Sequence, residues 1–395
     1  MNFMSKVLIA AALGAGAIQA AAEEPPQPPV PEEVKAFTPE KVAKLKKDAA
    51  AGLAPARLLL GTAMIVGAPG VPADPDGGVR LLREAAEAGD MASAAMLASF
   101  LTAGAFGVAK NDAGALRWLQ ICAEKGAHPV FGTCAHGLAG AYQFGRGTAP
   151  DAAAAARWYR VAAETGHVRS MALLGVMLAD GMGVPKDLPE ALRWLVPAAE
   201  KGDAYGLTML GGLYISGRGV PKDGRKGLEL ITLAAEKGSV TAAMMLATGH
   251  YAGRDAPKDP AKALLYAKRA AELGSADGAH FLALLHAGGV GTPVDEAEAL
   301  RWHRVAAERG QPDAMLDLAF VHARSKGALV SEQEAMKWLM LAAEKEQPRA
   351  MLILAMMYED GKMVPKDRDE AIRLYRASAA KGDANAKEAL QRLGL

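Results

Sequence analysis

An all-α solenoid of about nine helix-turn-helix repeats is the fold class this sequence predicts, on three observations. Apolar residues make up 51% of the chain and aromatics only 5%, so the core must be built from Ala, Leu and Met. Such small and straight residues favour tightly packed helices over strands. The segment Ala-Ala-Glu-x-Gly recurs, with its Glu column at Glu87, Glu124, Glu164, Glu200, Glu236, Glu272, Glu308 and Glu344 and Ala380 in the last copy, at spacings of 37, 40 and then 36 six times. A period of 36 is the length of a helix, turn, helix, turn unit. Finally, glycine and proline fall at fixed places within each period, where they stop one helix and start the next.

The elements follow in chain order. Residues 1–22 have the parts of a secretory signal: Lys6, an apolar run from Val7 to Ile18, and Ala20-Ala21-Ala22 before Glu23. The run is short for a membrane span, and no Cys follows it, so cleavage near Ala22 and a periplasmic mature protein without membrane insertion are expected. Residues 23–38 form a proline-rich linker, and Glu23 to Pro31 should be extended and polyproline-like. Residues 39–52, ending in Asp48-Ala49-Ala50-Ala51-Gly52, read as the helix of a degenerate half-repeat. Nine repeats then occupy 53–382, and a capping helix closes the stack within 383–395.

Within each repeat the first helix ends at a glycine turn such as Gly181-Met182-Gly183-Val184-Pro185-Lys186-Asp187. Glycine supplies the positive φ, proline forbids continuation, and the Asp caps the second helix by accepting backbone N–H bonds. Six residues before each Glu stands a large apolar group, Leu81, Trp118, Trp158, Trp194, Leu230, Tyr266, Trp302, Trp338 or Leu374, read as the knob of the second helix.

The pattern Ala-x3-Leu-Gly-x2-Tyr-x2-Gly-x-Gly-Val-Pro-Lys-Asp-x3-Ala-x2-Trp-x3-Ala-Ala-Glu-x-Gly, carried almost in full by residues 205–238, resembles the Sel1-like repeat family, which is related to the tetratricopeptide repeats. The resemblance implies a right-handed superhelix with the first helices on its concave face. Departures occur at 325–331, where the glycine turn is degraded, and at Glu346, which replaces a terminal glycine. The chain has two cysteines, Cys122 in an Ala-Ala-Glu-x-Gly position and Cys134 in the following first helix. If the four extra residues of the 40-residue interval lie around Ala127 to Val130, the pair matches where cysteine-rich members of the family join adjacent helices. That implies a Cys122–Cys134 disulfide in an oxidising compartment, the alternative being two buried free thiols.

A catalytic or cofactor site is not expected. His250, His286 and His322 stand 36 apart, a ladder along successive repeats and not a cluster, and no pair has the i, i+4 spacing of a helical metal site. Ser378-Ala379-Ala380-Lys381 has the Ser-x-x-Lys order of penicillin-recognising enzymes, an activity to which some Sel1-like proteins have been linked. It sits in the repeat terminus, without Ser-Asp-Asn or Lys-Thr-Gly, and a β-lactam-binding enzyme is the remotest reading. The Gly-x-Gly turns follow helices, whereas a dinucleotide fingerprint follows a strand. Formal net charge is +1, so no long-range field would gather nucleic acid or an anionic membrane.

Aligning the repeats with one another separates positions the stack dictates from those it leaves free. One first-helix column is fixed as Leu at 97, 138, 174, 210, 246, 282, 318 and 354, while the residue before it varies: Met96, Gly137, Leu173, Met209, Met245, Phe281, Asp317 and Ile353. The family often carries Asn there, so the apolar members suggest a strip facing a groove; the alternative is that they pack in the core. Arg169, Tyr205, Asp277, Leu284, Asp313, Phe320, Arg349 and Met356 lie three or four residues away on the same helical face. An apolar, Met-rich groove suits an irregular protein surface, and the charges would orient the partner. The expected function is therefore a non-enzymatic periplasmic protein-binding scaffold. The resemblance to secreted Sel1-like proteins implies its most concrete form, an immunity protein that neutralises a lipase or phospholipase effector of type VI secretion; an adaptor or regulator of an envelope sensor kinase or polysaccharide export system, a role similar repeats take, is the alternative.

Overall fold

The structure, a computed structural model, describes residue 28 and residues 30–126, 128–324 and 331–395. The expected signal segment, most of Glu23 to Pro31, and 325–330 of the degraded turn lie outside the described residues. These comprise 21 helices and no strand, with a single isolated bridge between Ala68 and Val71. They divide into two compact units between Leu230 and Ile231.

The first unit holds α1 (Glu32–Lys35), α2 (Pro39–Ala50), α3 (Ala54–Val66), α4 (Pro75–Glu87), α5 (Met91–Ala103), α6 (Asp112–Glu124), α7 (Phe131–Phe144), α8 (Ala152–Glu164), α9 (Val168–Asp180), α10 (Leu188–Glu200) and α11 (Ala204–Ser216). The unit boundary falls inside α12 (Gly224–Glu236). The second unit continues with α13 (Val240–Ala252), α14 (Pro260–Glu272), α15 (Ala276–Gly288), α16 (Glu296–Glu308), α17 (Pro312–Arg324), α18 (Glu332–Glu344), α19 (Pro348–Asp360), α20 (Arg368–Ala380) and α21 (Ala384–Arg392). From α3 to α20 odd-numbered helices are the first of a repeat and even-numbered ones the second, and α21 follows the ninth repeat. Within each unit a first helix packs against its own second helix, which packs in turn against the next first helix, the arrangement of an α-solenoid.

The caps explain why the breaks recur. Asp151, Asp187, Asp259, Asp295 and Asp367 each accept, through Oδ1, the backbone N–H three residues on, at 2.8–3.1 Å. Replacing such a cap by Ala costs about 1 kcal/mol. The same residues donate their own N–H to a carbonyl of the preceding first helix, as from Asp259 to His250 and Asp295 to His286. This second bond pins the turn through the backbone alone, so the carbonyl residue is free to be Tyr in one repeat and His in another. First helices stop at left-handed residues such as Gly181 (φ 77) and Gly217 (φ 71). Glu346 takes the same left-handed conformation (φ 57) where other repeats have glycine, and its carboxylate accepts from Lys381 Nζ at 2.6 Å.

The core differs from the sequence reading by one register. The Trp column is half-buried apart from Trp338 and Leu374, whereas the next residue along is sunk in every repeat: Leu82, Leu119, Tyr159, Leu195, Ile231, Ala267, His303, Leu339 and Tyr375. Trp is large enough that it is rarely enclosed completely, and four of the five stay half-buried. At the N-terminal end Val34 and Phe37 are buried with Val42, Leu45 and Leu60, so this end of segment 23–38 packs into the first unit's core.

Candidate functional site

Three places collect chemistry-bearing side chains, the first two in the first unit. Cys122 on α6 and Cys134 on α7 are joined by a disulfide with Cα atoms 5.9 Å apart, both residues fully buried. The bridge spans the longer connection between these helices, where His128 Nε2–H donates to Cys122 O at 2.8 Å. A shallow cavity of about 780 Å³ lies beside it, lined by His128, Phe131, Thr133, Thr165 and His167.

Deeper in the same unit, His136 on α7 stacks on His167 (ring centroids 4.4 Å) and leans on Tyr159 of α8 (5.6 Å). Ser170 Oγ lies 2.9 Å from His136 Nδ1 and 3.0 Å from His167 Nδ1, bridging the two rings. His167 caps α9 by accepting the Ser170 backbone N–H. Burial above all, then the charges of His167 and Arg169, push the His136 pKa down to about 3, and burial also lowers His167. These are neutral rings whose Nδ1 atoms both have partners.

In the second unit His280 on α15, His303 on α16 and Asp317 on α17 offer donor atoms that all lie within 4.8 Å of one another. Asp317 Oδ2 is 3.8 Å from His280 Nδ1 and 3.7 Å from His303 Nδ1, and the rings are tilted with centroids 5.4 Å apart. Both histidines are 6% exposed. Both nitrogens of His280 and Nδ1 of His303 have no hydrogen-bond partner among the described residues. Burial lowers the His280 pKa, with Asp313 and Asp277 opposing; burial and then His280 take His303 down to about 4. Burial and Asp313 lift Asp317 to about 6, against Arg349. The cluster spans three helices at sequence separations that no helical motif describes, which is why spacing alone missed it.

Of the residues read as partner-facing, Met96, Met209, Met245, Phe281, Leu284, Phe320 and Ile353 are half-buried. Leu173 departs from them, being 7% exposed and part of the first unit's core with Leu174 and Met177. In the first unit Arg169 lies over the Tyr205 ring at 4.5 Å and pairs with Asp203 at 3.5 Å, so this charge is already engaged within its own chain. In the second unit Arg349 lies 5.3 Å from the Phe320 ring centroid, Tyr251 meets Phe281 edge-on at 5.5 Å, and Met356 is 51% exposed. Asp277 and Asp313 are exposed, with Asp313 accepting from Gln347 at 3.1 Å.

The other sequence candidates lie in packing positions. His250 stacks on Tyr266 (5.9 Å), with Nδ1 2.8 Å from Pro257 O. Ser378 is fully buried and donates to Pro348 O at 2.8 Å, while Lys381 is committed to Glu346, so the two share no cleft.

Reiterated, individually capped helix pairs with apolar and aromatic residues left on the first helices define a tandem-repeat scaffold of the protein-interaction kind. A family profile described as Sel1 repeat matches nine successive segments, 54–90, 92–126, 133–167, 168–203, 204–239, 240–275, 276–311, 312–346 and 348–383. The chain belongs to the Sel1 repeat family. Among solved structures it is similar to a protective antigen of uropathogenic Escherichia coli displaying an SLR fold, with 26% identity over 87% of this chain and 73% of that one and a TM-score of 0.56. It is also similar to a Sel1 repeat protein from Oxalobacter formigenes, with 25% identity over 89% and 90% of the two chains and a TM-score of 0.51. An immunity protein of Pseudomonas aeruginosa matches at 19% identity over 56% and 83%, with a TM-score of 0.38, which carries no functional argument. No curated protein matches significantly. Among the described residues no helix is long and apolar enough to cross a membrane.

Proposed function

We propose that this protein is a periplasmic, non-enzymatic binding scaffold, and that the partner it grips is a secreted lipase or phospholipase effector that it neutralises as an immunity protein. The observation that carries the reading is the second unit's apolar groups left exposed on first helices: Tyr251 of α13 at 46% exposure and Met356 of α19 at 51%, with Phe281 of α15 half-buried against Tyr251. Exposed apolar groups recurring on several first helices mark a contact surface. A lipase presents a complementary apolar face because it must meet lipid. The Cys122–Cys134 bridge suits an oxidising compartment, as does the signal-like segment 1–22.

The test is to express the full chain with a periplasmic lipase effector and to assay the purified pair for lipid hydrolysis. The wild-type protein should inhibit at equimolar ratio and protect cells, and Phe281→Asp should do neither while keeping its helical circular dichroism. Undiminished hydrolysis in the presence of excess wild-type protein would remove the reading.

A further inference from the structure

The geometry points to a divalent transition-metal site, of the kind that takes zinc, formed by His280, His303 and Asp317. It would clasp the repeat 276–311 to the repeat 312–346. Two imidazole nitrogens and one carboxylate oxygen are a donor set that zinc accepts, with a fourth position left for water. Zinc bonds of about 2.0–2.1 Å place tetrahedral ligands about 3.3 Å apart. The two approaches to Asp317 Oδ2 are 3.7 and 3.8 Å and all the donor atoms lie within 4.8 Å of one another, so closing on an ion needs separations to shorten by about 0.5 to 1.5 Å.

Three features favour this site over an ordinary core histidine pair. A buried nitrogen left without a partner is costly, and here three of the four ring nitrogens are so placed. Two of the residues, His303 and Asp317, also stand apart from the other members of their columns. Positions equivalent to His303 are Leu in four repeats, Tyr159 and Tyr375 in two, and Ile231 and Ala267 in the others, and those equivalent to Asp317 are mostly Met, Leu, Phe or Ile. Polar side chains thus replace apolar ones on adjacent helices where they can meet. Finally, the charged groups facing the cluster are Asp277 of α15, Asp313 of α17 and Arg349 of α19, two carboxylates against one guanidinium, a balance that favours a cation.

Zn²⁺ titrated by calorimetry into the full chain, untagged and previously stripped with chelator, tests the assignment. A single equivalent should bind with micromolar or better affinity and raise the melting temperature, and Co²⁺ should give the visible absorption of nitrogen and oxygen ligation. His303→Leu installs the residue its column carries elsewhere, and Asp317→Asn changes a single atom, so both should fold. Each should bind at least about a hundredfold more weakly, since loss of an outer partner alone costs about 10–100-fold. His136→Ala should bind as wild type. Absence of saturable Zn²⁺ binding by the wild-type chain, or equal affinity and stoichiometry in His303→Leu, would overturn the site.

Discussion

His136 and His280 occupy the same column, four repeats apart, and so do the positions around them: Tyr159 and His303, His167 and Gln311, Ser170 and Ala314, Leu173 and Asp317. In the first unit the Ser170 hydroxyl bridges two imidazoles, and Leu173 fills the space beside them with hydrocarbon. In the second unit that hydroxyl is lost to Ala314, a second ring stands where a phenol was, and a carboxylate replaces the leucine. One scaffold thus builds a closed polar knot in one place and an open set of donors in the other. The backbone is common to both, so side-chain identity alone separates a packing histidine from one available to a ligand.

The sharpest way to break this comparison is to titrate it. His136 has a folded pKa near 3 against an ordinary 6.5. Its neutral, buried form contributes stability that is present above pH 6.5 and lost as pH falls through about 3. On the order of 4 kcal/mol should disappear across that window, and His136→Ala should remove that share of the slope of urea midpoint against pH. A pH slope unchanged by the substitution would show that the knot is not closed.

Next in size is the covalent staple of the first unit. Cys122→Ala with Cys134→Ala opens a connection of 12 residues and should lower stability by about 3 kcal/mol. Hydrogen exchange should rise in α6 and α7 and stay unchanged in α15 to α17; a uniform rise would mean that the repeats do not open separately.

Smaller still is exchange of the bridging hydroxyl. Ser170→Ala leaves His136 Nδ1 in the state of His280 and should cost about 1–3 kcal/mol, whereas Ala314→Ser gives His280 a partner and should gain about 1 kcal/mol. Equilibrium unfolding of both variants checks the pair, and a like sign for the two would refute the equivalence of the sites.

The least effect is expected from Asp317→Asn in chelated protein. A carboxyl whose folded pKa is raised to about 6 contributes stability that is full below about 3.8 and lost as pH rises through 6. Removing its charge should therefore stabilise above pH 7, by about 1 kcal/mol once its partial exposure is allowed for, and do nothing at pH 3. Urea midpoints at the two pH values give the readout.

Much of this architecture was legible in the sequence because stacking itself imposes the pattern. Paired alanines must recur wherever helices touch, and Asp187 or Asp295 must recur wherever a second helix begins. Depth was less legible: the Trp column advertised itself by size, yet the enclosed knobs are Leu195 and Tyr375 one residue later. The disulfide followed from family resemblance and not from spacing, since an insertion of unknown placement separates its halves. The His280, His303 and Asp317 cluster escaped because its members stand 23 and 14 residues apart on three helices, a separation only the folded stack resolves. A signal was present all the same in Asp317, which interrupts an otherwise mostly apolar column, and in His303 where four other repeats carry Leu.

Because the caps lie at the seams, the repeat behaves as an interchangeable cassette. Ser239 caps α13 and Ser275 caps α15, each by accepting the backbone N–H three residues on. Excising 240–275 would bring Ser239 to the start of α15, where it supplies the same cap, so no helix would be left ragged. A lineage could lengthen or shorten such a chain by whole units without relearning how to fold, and so change which surface it embraces by changing how many turns it has.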